Sequence, residues 1–336
     1  MTNAPKKKAG IKDALMRLGP ALALILMFIV FAIVMPGKFL RIGNLMNVLK
    51  QASINCMIGA GMLLCLITAG IDLSVGYNCT LACCIIGVLL NMGVTSPFLL
   101  IPAALLVSTL AGFVNGTLLT RLDLPHPFVS TLGAKNILWG LALLVTGSSS
   151  IGLYNKGIDS TLFIGSATVF SFGFPVSFIL VLVVYGLFHV FLNHTSLGRQ
   201  IYCVGGNAEA ARLSGIRSKN VLTIVYTLSG FMCGVAGVIL AGRVASANPN
   251  AGATYDTDAI AACIIGGASF SGGKGTIWGT LVGALLIAII RNGLNLMGTS
   301  NDVQYIVIGA VIILSVAIDV MRGKIEAKAR KMAAVE

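Results

Sequence analysis

The feature that most constrains this chain is the recurrence, from one end to the other, of apolar runs about twenty residues long. Wound as a helix, a run of that length covers the ~30 Å hydrocarbon layer of a bilayer. Ten such runs are read at 19–36, 51–70, 75–94, 97–120, 128–146, 173–192, 221–242, 257–272, 276–294 and 303–321. Charged residues make up 10% of the 336 and apolar residues 57%, whereas a soluble domain carries about 25% charge. A soluble surface built from this composition would be one continuous apolar patch, so lipid must cover it. Inside lipid no water meets the backbone, and helices satisfy their own N–H and C=O groups. The expected fold class is all-α: a polytopic membrane helix bundle of about ten spans. The chain divides into a basic N-terminus (1–18), a membrane domain (19–321) containing a polar loop (193–220), and a basic tail (322–336).

The net charge of +12 would be compatible with nucleic-acid binding, but its distribution excludes it. The basic residues gather at the two ends and in the loop 193–220, which holds Arg199, Arg212, Arg217 and Lys219 with no aromatic among them but Tyr202. That is the bias of cytoplasmic segments. With an even number of spans, both termini are expected in the cytoplasm. No small-residue cleavage site follows the first run, so that run is expected to stay as the first span.

Two segments do not read as plain spans. One is Gly70-Ile71-Asp72-Leu73-Ser74-Val75-Gly76; the other runs from Gly266 and Gly267 through Ser271, Gly272 and Gly273 to Thr276. Clustered Gly and Ser let helices approach closely, or break where protein surrounds them. One lies in each half, which suggests a two-half internal pseudo-repeat, and paired interruptions point to a translocation pathway. The alternative is two tight helical hairpins. The candidate pathway or helix-break residues are Asp72, Ser74, Gly76, Gly266, Gly267, Ser271, Gly272 and Gly273. Asp72 reads as a cap, at the membrane edge, for a helix beginning near Leu73; a pathway role is the other reading. Asp256 and Asp258 read as caps of the eighth span.

Other chemistry is excluded. The run ending Gly273-Lys274-Gly275-Thr276 fails the phosphate-loop pattern, with Ala268 in place of its first glycine and Gly275 after the lysine. His126, His189 and His194 have no metal-ligand spacing, and the eight cysteines form no CxxC pair. No cofactor or metal site is expected, and the cysteines read as small buried hydrophobes. In the loop 193–220, a short helix from Ala208 to Leu213 can start on Asn207 as N-cap and stop at Gly215. Such a helix between two spans suits contact with another protein, or serves as an ordinary connector.

At these residues the chain resembles the permease subunits of bacterial ATP-binding-cassette importers for monosaccharides, the ribose and methyl-galactoside type. The resemblance is carried by the segment 70–76, by Leu197-Gly198-Arg199 through Gly205-Gly206-Asn207 to Ser214-Gly215, by Tyr255 and Asp258–Ala262, by Gly266–Gly267 and Ser271–Gly275, and by Asn292–Leu296. The runs Asn193–Arg199 and Ala247–Gly252 look closer to the ribose type. The resemblance implies an ATPase-coupling loop at Arg199, Asn207, Glu209, Ala210, Ala211 and Gly215, a shortened form of the importers' EAA…G motif. It also implies a homodimer (or pairing with a related permease), a separate cassette ATPase that performs the hydrolysis, and an extracytoplasmic sugar-binding protein. Two further readings stay open: a stand-alone secondary transporter or channel, for which Asp72 would be the coupling-ion candidate, and a membrane scaffold or receptor.

Overall fold

The computed structural model describes residues 11–122, 124, 126–154 and 164–333. Lys6, Lys7 and Lys8 of the basic N-terminus, and Lys156, lie outside the described residues. The helices are α1 (Ile11–Val34), α2 (Pro36–Phe39), α3 (Ile42–Ile67), α4 (Val75–Asn91), α5 (Pro97–Arg121), α6 (Pro127–Thr146), α7 (Val176–His194), α8 (Ser196–Gly206), α9 (Ala208–Leu213), α10 (Ser218–Val244), α11 (Tyr255–Ile265), α12 (Ile277–Leu296) and α13 (Asn301–Ala333). Proline opens α2, α5 and α6, where its missing N–H costs nothing and its fixed φ suits the first turn. Gly147, at φ +62°, ends α6 in the left-handed conformation.

Among the described residues six helices are long and apolar enough to cross a membrane: α3, α5, α6, α7, α10 and α12. Shorter apolar helical stretches lie at Gly19–Val34, Val75–Asn91 and Asp302–Ala317. The span expected at 257–272 is corrected: α11 stops at Ile265. The reason is local. Gly267, Gly272, Gly273 and Gly275 all take positive φ, which no run of L-residues in a helix can follow. At 1.5 Å per residue, α11 is about 16 Å long, roughly half the hydrocarbon layer.

Lipid offers no hydrophobic drive for helix to meet helix, so the bundle relies on close backbone packing. α3 is buried continuously from Ala52 to Ile67 and lies against α10, α11 and α12. α10 crosses α5 where Gly112 and Gly116 face Gly230 and Tyr226. A β-carbon on Gly112 would collide with the Tyr226 carbonyl. The α11–α12 contact repeats the device, with Gly283 against the Ala262 carbonyl. The ring of Phe31 on α1 covers Gly293 of α12. Large exposed apolar side chains such as Ile33, Leu144, Leu187 and Ile306 give the periphery the character of a lipid-facing surface.

Two short antiparallel pairs decorate the connections. β1 (Ile151–Gly152) pairs with β4 (Ser246–Ala247), and β2 (Thr168–Val169) with β3 (Phe174–Pro175). From β4 the chain runs alongside α4: Ala247 lies at Gly87, the Ser246 carbonyl accepts from Cys83 Sγ at 3.8 Å, and Gly252 lies at Gly76. This stretch, a two-residue strand followed by turns, therefore follows α4 back from its C-terminal half to its first turn.

Candidate functional site

The loop 193–220 folds as its residues dictate. Asn207 Oδ1 accepts from the Ala210 backbone N–H at 3.0 Å, the N-cap bond of α9. At the other end Gly215 takes φ +84°. Its N–H donates to the Arg212 carbonyl at 3.0 Å, and that of Ile216 to the Ala211 carbonyl at 3.0 Å. This is the two-bond glycine stop that satisfies the last helical carbonyls. Glu209 and Arg212 pair on the exposed face at 2.6 Å, and the guanidinium holds the Glu209 carboxyl below its ordinary value. Ala211 alone in α9 is buried, which anchors the helix and leaves its charged face open. Arg199 stands in the first turn of α8.

α8 carries this loop into the bundle at a seam of glycines. Gly205 lies so close to the Ile67 carbonyl that a β-carbon there would fall inside it. The Ile67 carbonyl accepts from the Gly273 N–H at 2.8 Å. Gly272 lies against the Gly205 carbonyl and Ala69, and Tyr202 Oη donates to the Gly275 carbonyl at 2.8 Å. The end of α3, the end of α8 and the segment 266–276 thus meet at one point. The sequence places the two Gly/Ser segments far apart; the fold brings the second against Ile67 and Ala69, just before the first, and against the polar loop. Ser271, in that segment, donates its N–H to Ser269 Oγ at 3.3 Å, and Gly266 packs on Gly279.

The first interruption also meets the start of α11, the helix that precedes the second. Gly76, second residue of α4, lies beside the backbone nitrogen of Asp256, second residue of α11. Asp72, read as a cap for the helix that follows it, is buried inside the bundle. α4 begins at Val75, and Asp72 is 1% exposed. Its Oδ1 accepts from the Ser74 N–H at 3.0 Å and Ser74 Oγ at 2.6 Å. Its Oδ2 accepts from Ser229 Oγ at 3.2 Å, and Ser229 stands near the middle of α10. A buried carboxylate needs several donors, and the centre of the bundle supplies them.

Asp256 and Asp258 stand at the start of α11, and Asp256 Oδ1 accepts from the Thr257 N–H at 2.9 Å, but both acids have cationic partners as well. Both are buried. Asp256 Oδ2 receives Lys135 Nζ at 2.6 Å. Asp258 receives Arg291 through two bonds, at 2.8 and 2.7 Å. Countercharge, beyond capping, is what a desolvated acid requires. Around Lys135 stand Tyr77 and Trp139, stacked with ring centroids 5.5 Å apart, and Trp139 Nε1 donates to Asn250 Oδ1 at 3.0 Å. Lys135, Trp139 and Arg291 escaped the sequence reading. The signal that finds them is a single basic residue in the middle of an apolar run, which is expensive enough to require a partner. Seven of the eight cysteines are buried, and Cys203 is exposed.

A membrane helix bundle with interrupted helices at its centre and a capped helix with an exposed charged face in one loop defines the class: a membrane transport protein. The chain belongs to the family described as branched-chain amino acid transport system / permease component, whose model matches residues 44–316. It is 37% identical over 314 residues to the ribose import permease RbsC of Bacillus subtilis, covering 94% of this chain and 96% of that one. It is 38% identical over 308 residues to the fructose import permease FrcC of Rhizobium meliloti, covering 89% and 84%. Against the D-allose permease AlsC of Escherichia coli it is 37% identical over 291 residues, covering 86% and 87%. No solved structure matches the chain.

Proposed function

We propose that this chain is the permease subunit of an ATP-driven monosaccharide importer, ribose-like in its sugar, and that it supplies half of the translocation pathway. Kinship with sugar import permeases along nearly the whole chain supports the importer over a stand-alone transporter. The observation that carries the coupling role is α9, whose charged face is open while its capped ends hold it rigid. In this reading a separate cassette ATPase docks on α9 and performs all the hydrolysis. A binding protein delivers sugar to the opposite face, and a second copy of the chain completes the pore.

Both termini, α9 and the tail 322–336 then lie in the cytoplasm, with about ten crossings between 19 and 321. The crossing after α10 is half non-helical, a short strand and turns (246–254), and half helical (α11). Movement of α9 reaches the pathway through α8, because Gly205, Ile67 and Gly273 leave no slack between α8, α3 and the segment before α12. Packed interfaces of this kind switch between discrete arrangements instead of deforming. The residues Asp72, Ser74, Gly76, Gly266, Gly267, Ser271, Gly272 and Gly273 sit at the receiving end.

The test is sugar uptake in cells expressing the chain with its ATPase and binding protein. Glu209→Lys is expected to abolish uptake at unchanged membrane level. Uptake equal to wild type in that variant would overturn the docking assignment.

A further inference from the structure

Lys135 is the ninth of twenty residues in α6, about 12 Å along the axis from one end of the helix and about 16 Å from the other. Its side chain is 26% exposed and Trp139, one turn on, is 38% exposed. Asn136 and Asn250, beside them in sequence or hydrogen-bonded to them, are exposed as well. Lipid does not tolerate such a group at that depth: a lysine and two amides in hydrocarbon cost several kcal/mol between them. The face they share must meet water or protein. Its composition is also specific. Tyr77 and Trp139 form one stacked aromatic surface, rigid and partly open. Amide, ammonium and carboxylate groups of Asn250, Lys135 and Asp256 ring its edge. A monosaccharide has the matching chemistry, with an apolar C–H face for an aromatic ring and hydroxyls that both donate and accept at its rim.

We infer that this face lines the sugar's route through the membrane and that Trp139 is the stacking platform for the pyranose or furanose ring as it passes. Lys135 offers its ammonium to the hydroxyls, and Asp256, buried beneath it, cancels its charge. Asn250 fixes the indole through its Nε1. The site lies where the first turns of α4 and α11 touch, so a shift of either helix re-aims Tyr77 or Asp256. The inference rests on the importer reading for the identity of the sugar, but the exposure of Trp139 to an aqueous route does not.

The chain has two tryptophans. Trp278 stands on α12 against Tyr185 and His189, so Trp278→Phe leaves Trp139 as the single reporter. The full-length variant is reconstituted in liposomes, and its fluorescence is titrated with acrylamide in water or measured in brominated phosphatidylcholine. Quenching by acrylamide and not by brominated lipid is the expected result. Quenching by brominated lipid would overturn the inference by placing Trp139 against lipid. Quenching by neither would overturn it by sealing the residue between two chains. In a second arm, D-ribose uptake by the complete importer is compared for Trp139→Ala and Trp139→Phe at matched membrane level. Loss of about tenfold in the alanine variant, the size of one aromatic contact, with the phenylalanine variant within about twofold of wild type, supports the stacking role. Uptake by Trp139→Ala equal to wild type would remove it. An importer that carries no monosaccharide at all would fail the functional reading while leaving the quenching result standing.

Discussion

Arg291→Met isolates what a buried ion pair does for this bundle. Arg291 on α12 grips Asp258 on α11 through two bonds, and the two side chains are 13% and 1% exposed. Removing one partner from a buried pair costs about 3–5 kcal/mol, because the other charge is stranded. An independent limit follows from protonation. An ordinary aspartic acid, with pKa about 3.9, takes up a proton at pH 7 for about 4 kcal/mol, so the stranded acid can escape its charge at that cost and no more. The escape becomes easier by about 1.4 kcal/mol for each pH unit below 7. The destabilisation by Arg291→Met is therefore about 3–4 kcal/mol at pH 7 and shrinks to about 1–2 kcal/mol at pH 5. Adding Asp258→Leu removes the stranded group and restores most of the loss at both pH values. Unfolding by sodium dodecyl sulfate in mixed micelles, followed by circular dichroism, measures all three proteins. A single variant within ~1 kcal/mol of wild type at pH 7, or a deficit that does not shrink on acidification, would refute the reasoning. The surface pair Glu209–Arg212 is the control. It is as short, at 2.6 Å, but its side chains are 65% and 66% exposed, so Arg212→Met leaves unfolding unchanged.

Neighbouring glycines on α8 are expected to behave oppositely. Gly205→Ala forces a methyl group into the Ile67 carbonyl and should abolish uptake, whereas Gly206→Ala meets open space and should transport as wild type; equal uptake by both at matched membrane level would show that the seam is not there. At Asp72, asparagine keeps an oxygen for Ser74 and turns its amide N–H towards Ser229 Oγ, which accepts, while leucine leaves both hydroxyls without that partner at about 1–3 kcal/mol. Asp72→Leu should thus unfold at clearly lower detergent fraction than Asp72→Asn, and coincident transitions would discard the network.

The helices that contact lipid were legible from their apolar runs, because a membrane segment must satisfy its backbone alone and length decides the rest. The capped helix α9 was legible too, since Asn207 and Gly215 act on their immediate neighbours. What escaped depends on partners remote in sequence. Asp256 meets a lysine 121 positions away and Asp258 an arginine 33 positions away, so hydropathy could mark both acids as costly without naming what relieves them. The α5–α10 crossing left a fainter trace: Gly112 and Gly116 share a four-residue spacing with Gly230 and Gly234, the small-residue pattern of close helix contact. The end of α11 was misplaced because Cys263-Ile264-Ile265 is apolar, and only the backbone sign at Gly267 stops the helix.

The buried acids explain one another once the helix ends are counted. Among the described residues the buried acids are Asp72, Asp256 and Asp258, the first in the segment 70–76 and the other two in the first turn of α11. Two cations, Lys135 and Arg291, answer two of them. The third has none. Yet the first turns of α4 and α11 meet at Gly76 and Asp256, and each helix N-terminus carries about half a positive charge. Two such ends in contact would repel in a medium of low dielectric, and together they equal about one unit of charge. Asp72 supplies the balancing unit through Ser74, the N-cap residue of α4. With that carboxylate ionised, the centre of the bundle is close to neutral despite holding five charged side chains. A route of this kind suits an uncharged solute, because neither a cation nor an anion finds a net field to compensate its own desolvation.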